Sequence, residues 1–529
     1  MKQYKLSILL ALFFLFSTSA IYAQENATNP NWHNLDYSTD SVMGISLNKA
    51  YSELLKGKKA KSIIVAVLDG GVEITHKDLE RVIYTNKKER LNGKDDDKNG
   101  YIDDRHGWNF LGVGDKDIEF ETLELVRQIR KLRSKFNEST MDSISKANSP
   151  EFQKLQVMEA DYKKQYEETS RTLSGISGFK DVLDKIEIKI GKDSLSLEGF
   201  TNFKPTEPRE VYVRNAVLNA IKESDLDYAT FKKEEIDAPY HHYYEKLNYQ
   251  LNLNYRPRKE LGINDETRFY GNNHVAGPDA LHGTHVAGII GADRKNKIGI
   301  NGIANKVKLL GVRTVPNGDE LDVDVANSIR YAVDQGAKII NMSFGKSYSN
   351  NKQIVDDAVK YAVSKDVLLI HASGNDNNNL DVAYNFPNKK YEDGSGVASS
   401  WLEIGASGPT KDQSLKANFS NYGKTTVDVF APGVQIYSTT PNSTYRALSG
   451  TSMAAPVVSG IATLIRSYYP SLSAVQVKQI IMDSSVKINQ KVTVMVDAKP
   501  VEMNFSDLSV SGGIANAYNA LKMAEELTN

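Results

Sequence analysis

Cysteine is absent from this 529-residue chain. No disulfide can therefore staple it, and no cysteine stands near the N-terminus to carry a lipid. Stability must come from the size of the core or from a bound metal. Net charge is nearly absent as well: 65 basic residues face 66 acidic ones. That balance argues against nucleic acid or an anionic membrane as the main partner. Beyond the N-terminus no hydrophobic run is long enough to span a bilayer. Histidine is scarce, with nine in all, so candidate general bases are few. What remains is ordinary globular material, 40% hydrophobic and 25% charged, in a chain too long for one small domain.

The N-terminus carries a targeting pattern. Lys2 and Lys5 precede an apolar stretch from Leu6 to Phe16, and Ser17-Thr18-Ser19-Ala20 leads to Ala23. This is the layout of a secretory signal peptide over residues 1–23. Its apolar core is short of the roughly 18–20 residues of a membrane anchor. The expected product is a secreted or periplasmic protein with no stable anchor after cleavage.

Three blocks follow. In residues 24–112, Ser46 to Lys56 reads as a short helix and Lys61 to Leu68 as a strand buried on both faces. The strand ends at Asp69-Gly70-Gly71, so an acid stands at a strand's carboxyl end, where open α/β sheets place their chemistry. Residues 113–270 are rich in Lys, Glu, Tyr and Ser and poor in Gly. Leu125, Ile129, Leu132 and Phe136 follow helical spacing, as do Phe152, Leu155, Met158, Tyr162 and Tyr166, which predicts an αα-hairpin. Lys185 to Ile190 alternates like a strand, and Tyr240 to Tyr255 is aromatic and Asn-rich. In residues 271–529 apolar strands alternate with helices, the mark of a parallel sheet flanked by helices. Ser473–Ser484 and Gly513–Glu526 read as late helices packed on that core.

Four short motifs carry chemistry. Gly450-Thr451-Ser452-Met453-Ala454-Ala455-Pro456 places a serine among small residues at the start of an apolar helix. There the backbone N–H groups and the helix dipole favour a developing anion. Ser452 is either a helix cap or a nucleophile. His282 opens His-Gly-Thr-His-Val-Ala-Gly and is a candidate base. His282 and His285 could instead pair on a metal, but the Glu of the zinc-protease pattern is missing, and His285 reads as structural. Asn375 follows the buried strand Val367–Ala372. Its amide can donate to an oxyanion, or it can simply shape a turn. Asn341-Met342-Ser343-Phe344-Gly345 ends another strand, open to pairing with an extended peptide.

Asp69, His282, Asn375 and Ser452, in that setting and with the chain order Asp, His, Ser, resemble the subtilisin family of serine proteases. The resemblance covers Ser46 to Gly112 and Gly271 to the C-terminus. It implies a peptidase domain of subtilisin-like α/β fold in two parts, residues 24–112 and 271–529, split by a largely helical insertion at 113–270. It implies that Ser452 attacks the scissile carbonyl of a protein or peptide, that His282 relays the proton and that Asp69 holds the imidazole. It also implies that Asn375 and the Ser452 N–H hold the oxyanion. Ser343, Phe344 and Gly345 would bind the substrate backbone, with Ala372, Ser373 and Gly374 walling the pocket beside His371 and Asn385 on its floor. Phe386-Pro387 falls where the family has a cis-proline.

Three departures stand out. Gly70 replaces the Ser or Thr whose hydroxyl normally donates to the aspartate. Asp69 and His282 lie 213 positions apart, and the excess is the insertion, expected to be a lid, specificity module, inhibitory segment, partner surface or plain decoration. Few residues precede Asp69, so the family's folding-assistant propeptide is not expected. The rival readings are a scaffold on an inactive protease fold, binding a partner through the insertion, and an acyl-transfer enzyme on the same triad.

One further stretch suggests a metal. Asp95, Asp97, Asn99 and Asp103, with the Tyr101 carbonyl, match the early positions of a calcium loop, and Gly100 allows its sharp turn. The closing bidentate Glu is replaced by His106. A solvated acidic turn is the alternative, but such acid density repels itself without a cation. A structural Ca²⁺ is expected, and no organic cofactor.

Overall fold

A computed structural model describes residues 29–137, 147–224, 226–264 and 267–528. The signal-peptide reading of residues 1–23 lies outside the described residues. The described chain falls into two compact units, one of Asn29–Gln128 with Tyr255–Asn529, the other of Ile129–Asn254.

The first unit is built on a nine-stranded sheet. In chain order its strands are β1 Ile63–Asp69, β2 Gly107–Asn109, β3 Val307–Arg313, β4 Ile339–Met342 and β5 Leu368–Ala372, then β6 Trp401–Ser407, β7 Val429–Pro432, β8 Val486–Lys487 and β9 Gly513–Ile514. Their order across the sheet is β8-β9-β7-β6-β5-β4-β1-β3-β2. All neighbours run parallel except β8 against β9. Continuous apolar runs such as Val65 to Leu68 and Leu368 to Ile370 are fully buried, because helices cover both faces. Those helices include α1 Leu281–Gly291, α2 Asp322–Asp334, α3 Lys352–Ser364, α4 Thr451–Tyr468, α5 Ala474–Asp483 and α6 Ala517–Thr528. Every residue of α4 from Met453 to Ser467 is buried. A helix apolar on all sides must be enclosed, and α4 runs through the main core cluster with Val286, Ile404 and Ile480.

The parallel register fixes where the motifs emerge. Leu68 on β1 pairs with Met342 on β4, and Met342 pairs with His371 on β5. Asp69, Ser343 and Ser373 therefore leave neighbouring strands at one carboxyl edge. The fold class is the one expected, an α/β fold with a largely parallel sheet flanked by helices. Two elements differ. Gly513–Ile514 is the β9 strand and helix begins only at Ala517, since Gly513 is pinned against the Val486 backbone. Ser46–Lys56 forms α-helix only at Leu47–Lys49 and continues in wider π-type turns over Ala50–Leu54.

The second unit is helical. Helix Pro150–Ile190 is 41 residues long and is followed by Pro208–Ser224, Tyr228–Phe231 and Ala238–Glu245. Phe179, Leu183 and Ile186 from the long helix pack with Phe200, Val213 and Val217 in a core of the unit's own. Phe136 meets Phe152 edge-on at 5.1 Å, and Arg133 pairs with Glu159, as an αα-hairpin requires. Lys185 to Ile190 is helix, not strand. Its alternation is broken by burial: Ile186 is buried at helical spacing from Leu183, while Ile188 is 81% exposed.

The compact helical unit is narrower than the compositional block. Residues on either side of it belong to the sheet unit. Arg258 forks onto Asp324 at 2.8 and 2.9 Å, and Trp108 Nε1 donates to Tyr270 O at 2.8 Å. Arg127 donates to the carbonyl of Glu320 at 3.1 Å, and Phe120 bridges to Asn317. Among the described residues no helix is long and apolar enough to cross a membrane.

Candidate active site

Asp69 ends β1 and His282 is the second residue of α1. The two meet with His282 Nδ1 at 2.7 Å from Asp69 Oδ1. Helix α1 reaches this closeness through Gly283. A Cβ there would stand 2.2 Å from Gly71 O and about as close to the Asp69 side chain as atoms can pack, at 3.0 Å from its Cβ. The carboxylate is buried, whereas the imidazole is 41% exposed. Burial disfavours the imidazolium, but the Asp69 carboxylate, helped by Asp279, outweighs it and holds the His282 pKa above the ordinary value.

The Gly70 substitution has a visible consequence. The Gly70 N–H donates to Asp69 Oδ1 at 2.7 Å, while Oδ2 is buried and has no hydrogen-bond partner. A hydroxyl at position 70 is the donor the family pattern would have put near it. His285 lies on the buried face of α1. Its Nε2 sits 3.0 Å from the Arg446 carbonyl, and burial lowers its pKa to about 4. It is a neutral packing residue.

Ser452 is the second residue of α4, where a helical N–H has no partner within the helix. Its hydroxyl donates to Ser343 O at 3.1 Å. The turn is clamped from both sides. Ser343 Oγ donates to Ser452 O at 3.0 Å and accepts from Asn341 Nδ2 at 2.9 Å, and Ser459 Oγ donates to Asn341 Oδ1 at 2.8 Å. This chain ties the end of β4 to the first turns of α4.

Asn375 is oriented by Thr451. Its Oδ1 accepts the Thr451 N–H at 2.9 Å and the Thr451 hydroxyl at 3.0 Å, which leaves Nδ2 as a free-facing donor. A Cβ built on Gly450 would lie 3.6 Å from Ser452 N and 3.7 Å from Asn375 Nδ2. The Ser452 N–H and the Asn375 amide therefore lie close together beside Gly450.

The substrate-binding candidates leave adjacent strand ends: Ser343, Phe344 and Gly345 after β4, Ala372, Ser373 and Gly374 at and after β5. Asn385 lies between them. Its Nδ2 donates to Ala372 O at 3.2 Å, and a Cβ on Gly345 would come within 2.3 Å of its Oδ1. Phe344 packs edge-on against His371 at 6.3 Å, and His371 Nδ1 lies 2.9 Å from Glu403 Oε1. The Phe386-Pro387 bond is cis.

Sequence motifs missed the residues that hold this edge in shape. Asn421 is one. It donates to Ser373 O at 2.7 Å and accepts from the N–H groups of Asp376 at 3.1 Å and Asn378 at 2.7 Å, gripping the loop on both sides of Asn375. Nothing local marks it, because its partners lie more than forty positions away. Thr451 could have been suspected from its place beside Ser452.

The acidic loop departs from the expected ligand set. Asp95 and Asp97 come together with Glu89, one oxygen of each lying within 4.8 Å of the others. Asp103 turns away and accepts from the Asn92 and Gly93 N–H groups at 2.9 Å each. Asn99 Nδ2 donates to Asp104 Oδ2 at 2.9 Å, and Asn99 Oδ1 accepts from Tyr101 N. Asp103 and Asn99 thus spend these oxygens on hydrogen bonds within the loop.

Comparison with known proteins adds an independent finding. The model of the subtilase family matches residues 60–504. Thermitase of Thermoactinomyces vulgaris is 42% identical over 214 residues, which are 40% of this chain and 68% of thermitase. A thermophilic serine proteinase of Bacillus sp. strain AK1 is 37% identical over 209 residues, 39% of this chain and 47% of that protein. Subtilisin BL of Lederbergia lenta is 34% identical over 208 residues, 39% of this chain and 71% of its own length.

Proposed function

The chain belongs to the subtilase family of serine peptidases, and from that membership we propose that it is an exported endopeptidase acting on proteins or peptides through Asp69, His282 and Ser452. The observation that carries this reading is the 2.7 Å contact between His282 Nδ1 and Asp69 Oδ1 at the sheet edge that also bears Ser452 and Asn375.

The proposed chemistry follows from these positions. Ser452 turns its hydroxyl from Ser343 O to His282 Nε2, gives up its proton there and attacks the scissile carbonyl. Substrate-free sites commonly hold such bonds in looser arrangements than the reacting complex. Asp69 keeps Nδ1 protonated and stabilises the imidazolium. The oxyanion forms between Ser452 N–H and Asn375 Nδ2–H. His282 then protonates the leaving amine, and water repeats the sequence in reverse to free the enzyme. Ser343 to Gly345 supplies an open strand end for the substrate backbone, and Asn385 sits where the first side chain would enter. The export assignment rests on the pattern of residues 1–23.

Asn375→Ala removes one of the two oxyanion donors. The expected result is a loss of roughly 10²–10³ in kcat with little change in KM, a size recorded for the same deletion in subtilisin. Steady-state kinetics on a peptide substrate measures it. Peptide amides and matched esters distinguish the reaction class. A peptidase hydrolyses both to free acids, whereas only ester turnover, or net ligation with an added amine, would overturn the reading.

A further inference from the structure

We propose that Lys416 is a positioning residue for the oxyanion hole, its buried ammonium fixing through Asn377 the turn that carries Asn375. The proposal rests on the reading of Asn375 as an oxyanion donor and adds what holds that donor in place.

The first observation is an isolated buried cation. Lys416 is only 1% exposed and bridges back to Ser407 at the end of β6. Burial lowers its pKa to about 7, and among the described residues no carboxylate pulls it back up. A buried lysine without an acid is costly, and an apolar side chain of similar length would fill the space at lower cost. That cost directs attention to what Nζ donates to. It donates to Asn377 Oδ1 at 2.7 Å, to Ala417 O at 3.1 Å and to Asn418 O at 3.5 Å. Three acceptors match the three protons of an ammonium.

The second observation is where the strongest of these bonds ends. Asn377 lies two residues after Asn375 and has a left-handed backbone, with φ 54°. Asparagine tolerates that conformation better than most residues. Both ends of its amide are engaged. Oδ1 takes the Lys416 ammonium, and Nδ2 donates at 2.6 Å to Met495 O in the hairpin of Lys491–Val496 and Lys499–Asn504. Its N–H donates to Phe419 O at 2.8 Å, three residues beyond Lys416. Nζ also stands 5.4 Å from the centre of the Tyr422 ring, and the Tyr422 N–H donates to Asn378 O at 3.0 Å. Asn421 grips Asp376 and Asn378 on either side, and Lys416 holds the residue between them. Asn375 itself is exposed, so the aim of its Nδ2 depends on where this turn sets its backbone. A misplacement of about 1 Å can cost on the order of 10² in rate.

A double-mutant cycle on a peptide substrate tests the assignment. Lys416→Met is expected to lower kcat about tenfold or more with KM nearly unchanged. In an Asn375→Ala background the same substitution should cost almost nothing further, because the donor it positions is gone. Near-UV circular dichroism verifies that each variant is folded. If Lys416→Met does not fold, Asn377→Gly decides, since it removes the acceptor and suits the left-handed backbone. It should lower kcat in the parent and not in Asn375→Ala. An unchanged kcat in the folded variant, or equal losses with and without Asn375, overturns the proposal and leaves the role of Asn375 standing. A parent rate unaffected by Asn375→Ala overturns both.

Discussion

Ser452→Ala is expected to reduce kcat on a peptide substrate by about 10⁶-fold, the size recorded when subtilisin loses its serine. The reason lies in what the hydroxyl alone can do. No other nucleophile is proposed at this edge, and the clamp from Ser343 and Asn341 positions the backbone of Ser452 whether or not Oγ is present. The oxyanion donors, Ser452 N–H and Asn375 Nδ2, also survive the change. Folding and KM should therefore be nearly unaltered, and a residual rate above water should remain from binding and the oxyanion hole. A variant retaining a tenth of the parent rate would place the nucleophile elsewhere.

Asp69→Asn is expected to lower kcat by about 10⁴-fold near neutral pH, as the same change does in another triad protease. An asparagine amide keeps the shape but can donate toward Nδ1, so it favours the wrong tautomer of His282. The pH profile provides the sharper reading. His282 acts as base only when neutral, and the Asp69 carboxylate raises its pKa against the opposing effect of burial. In the parent, the acidic limb of kcat/KM should lie above the ordinary imidazole value near 6.5. In Asp69→Asn burial is left without that counterweight, so the limb should move to lower pH. The same sign governs stability. The ion pair contributes fully below the ordinary imidazole pKa and fades as pH rises through the elevated one.

The catalytic candidates were legible because each signal is local. Asp69 closes an apolar run that can only be a doubly buried strand. Ser452 and His282 open helices whose small residues admit close approach. The parallel register then brings strand ends together, a consequence of fold class rather than of any single motif. What local sequence could not show was paired at a distance. Asn421 reaches Ser373, Asp376 and Asn378, and Glu89 comes to the acidic loop from outside the spacing of a calcium motif.

The misread strand has an equally physical cause. Lys185 to Ile190 alternates in hydrophobicity, yet it extends a helix whose buried face is set by Phe179, Leu183 and Ile186. Composition set the insertion at 113–270, whereas contacts confine the helical unit to Ile129–Asn254. The charged flanks look like insertion by composition, but Arg127 and Arg258 are half-buried against acids and carbonyls of the sheet unit. A deletion intended to remove only the helical unit should respect the inner limits.

Covalent labelling by a fluorophosphonate probe, mapped by mass spectrometry, tests the central claim most directly. One adduct is expected, on the peptide carrying Ser452, absent from Ser452→Ala and from unfolded protein. Folded protein that takes no label, or that takes it at another serine, would contradict it.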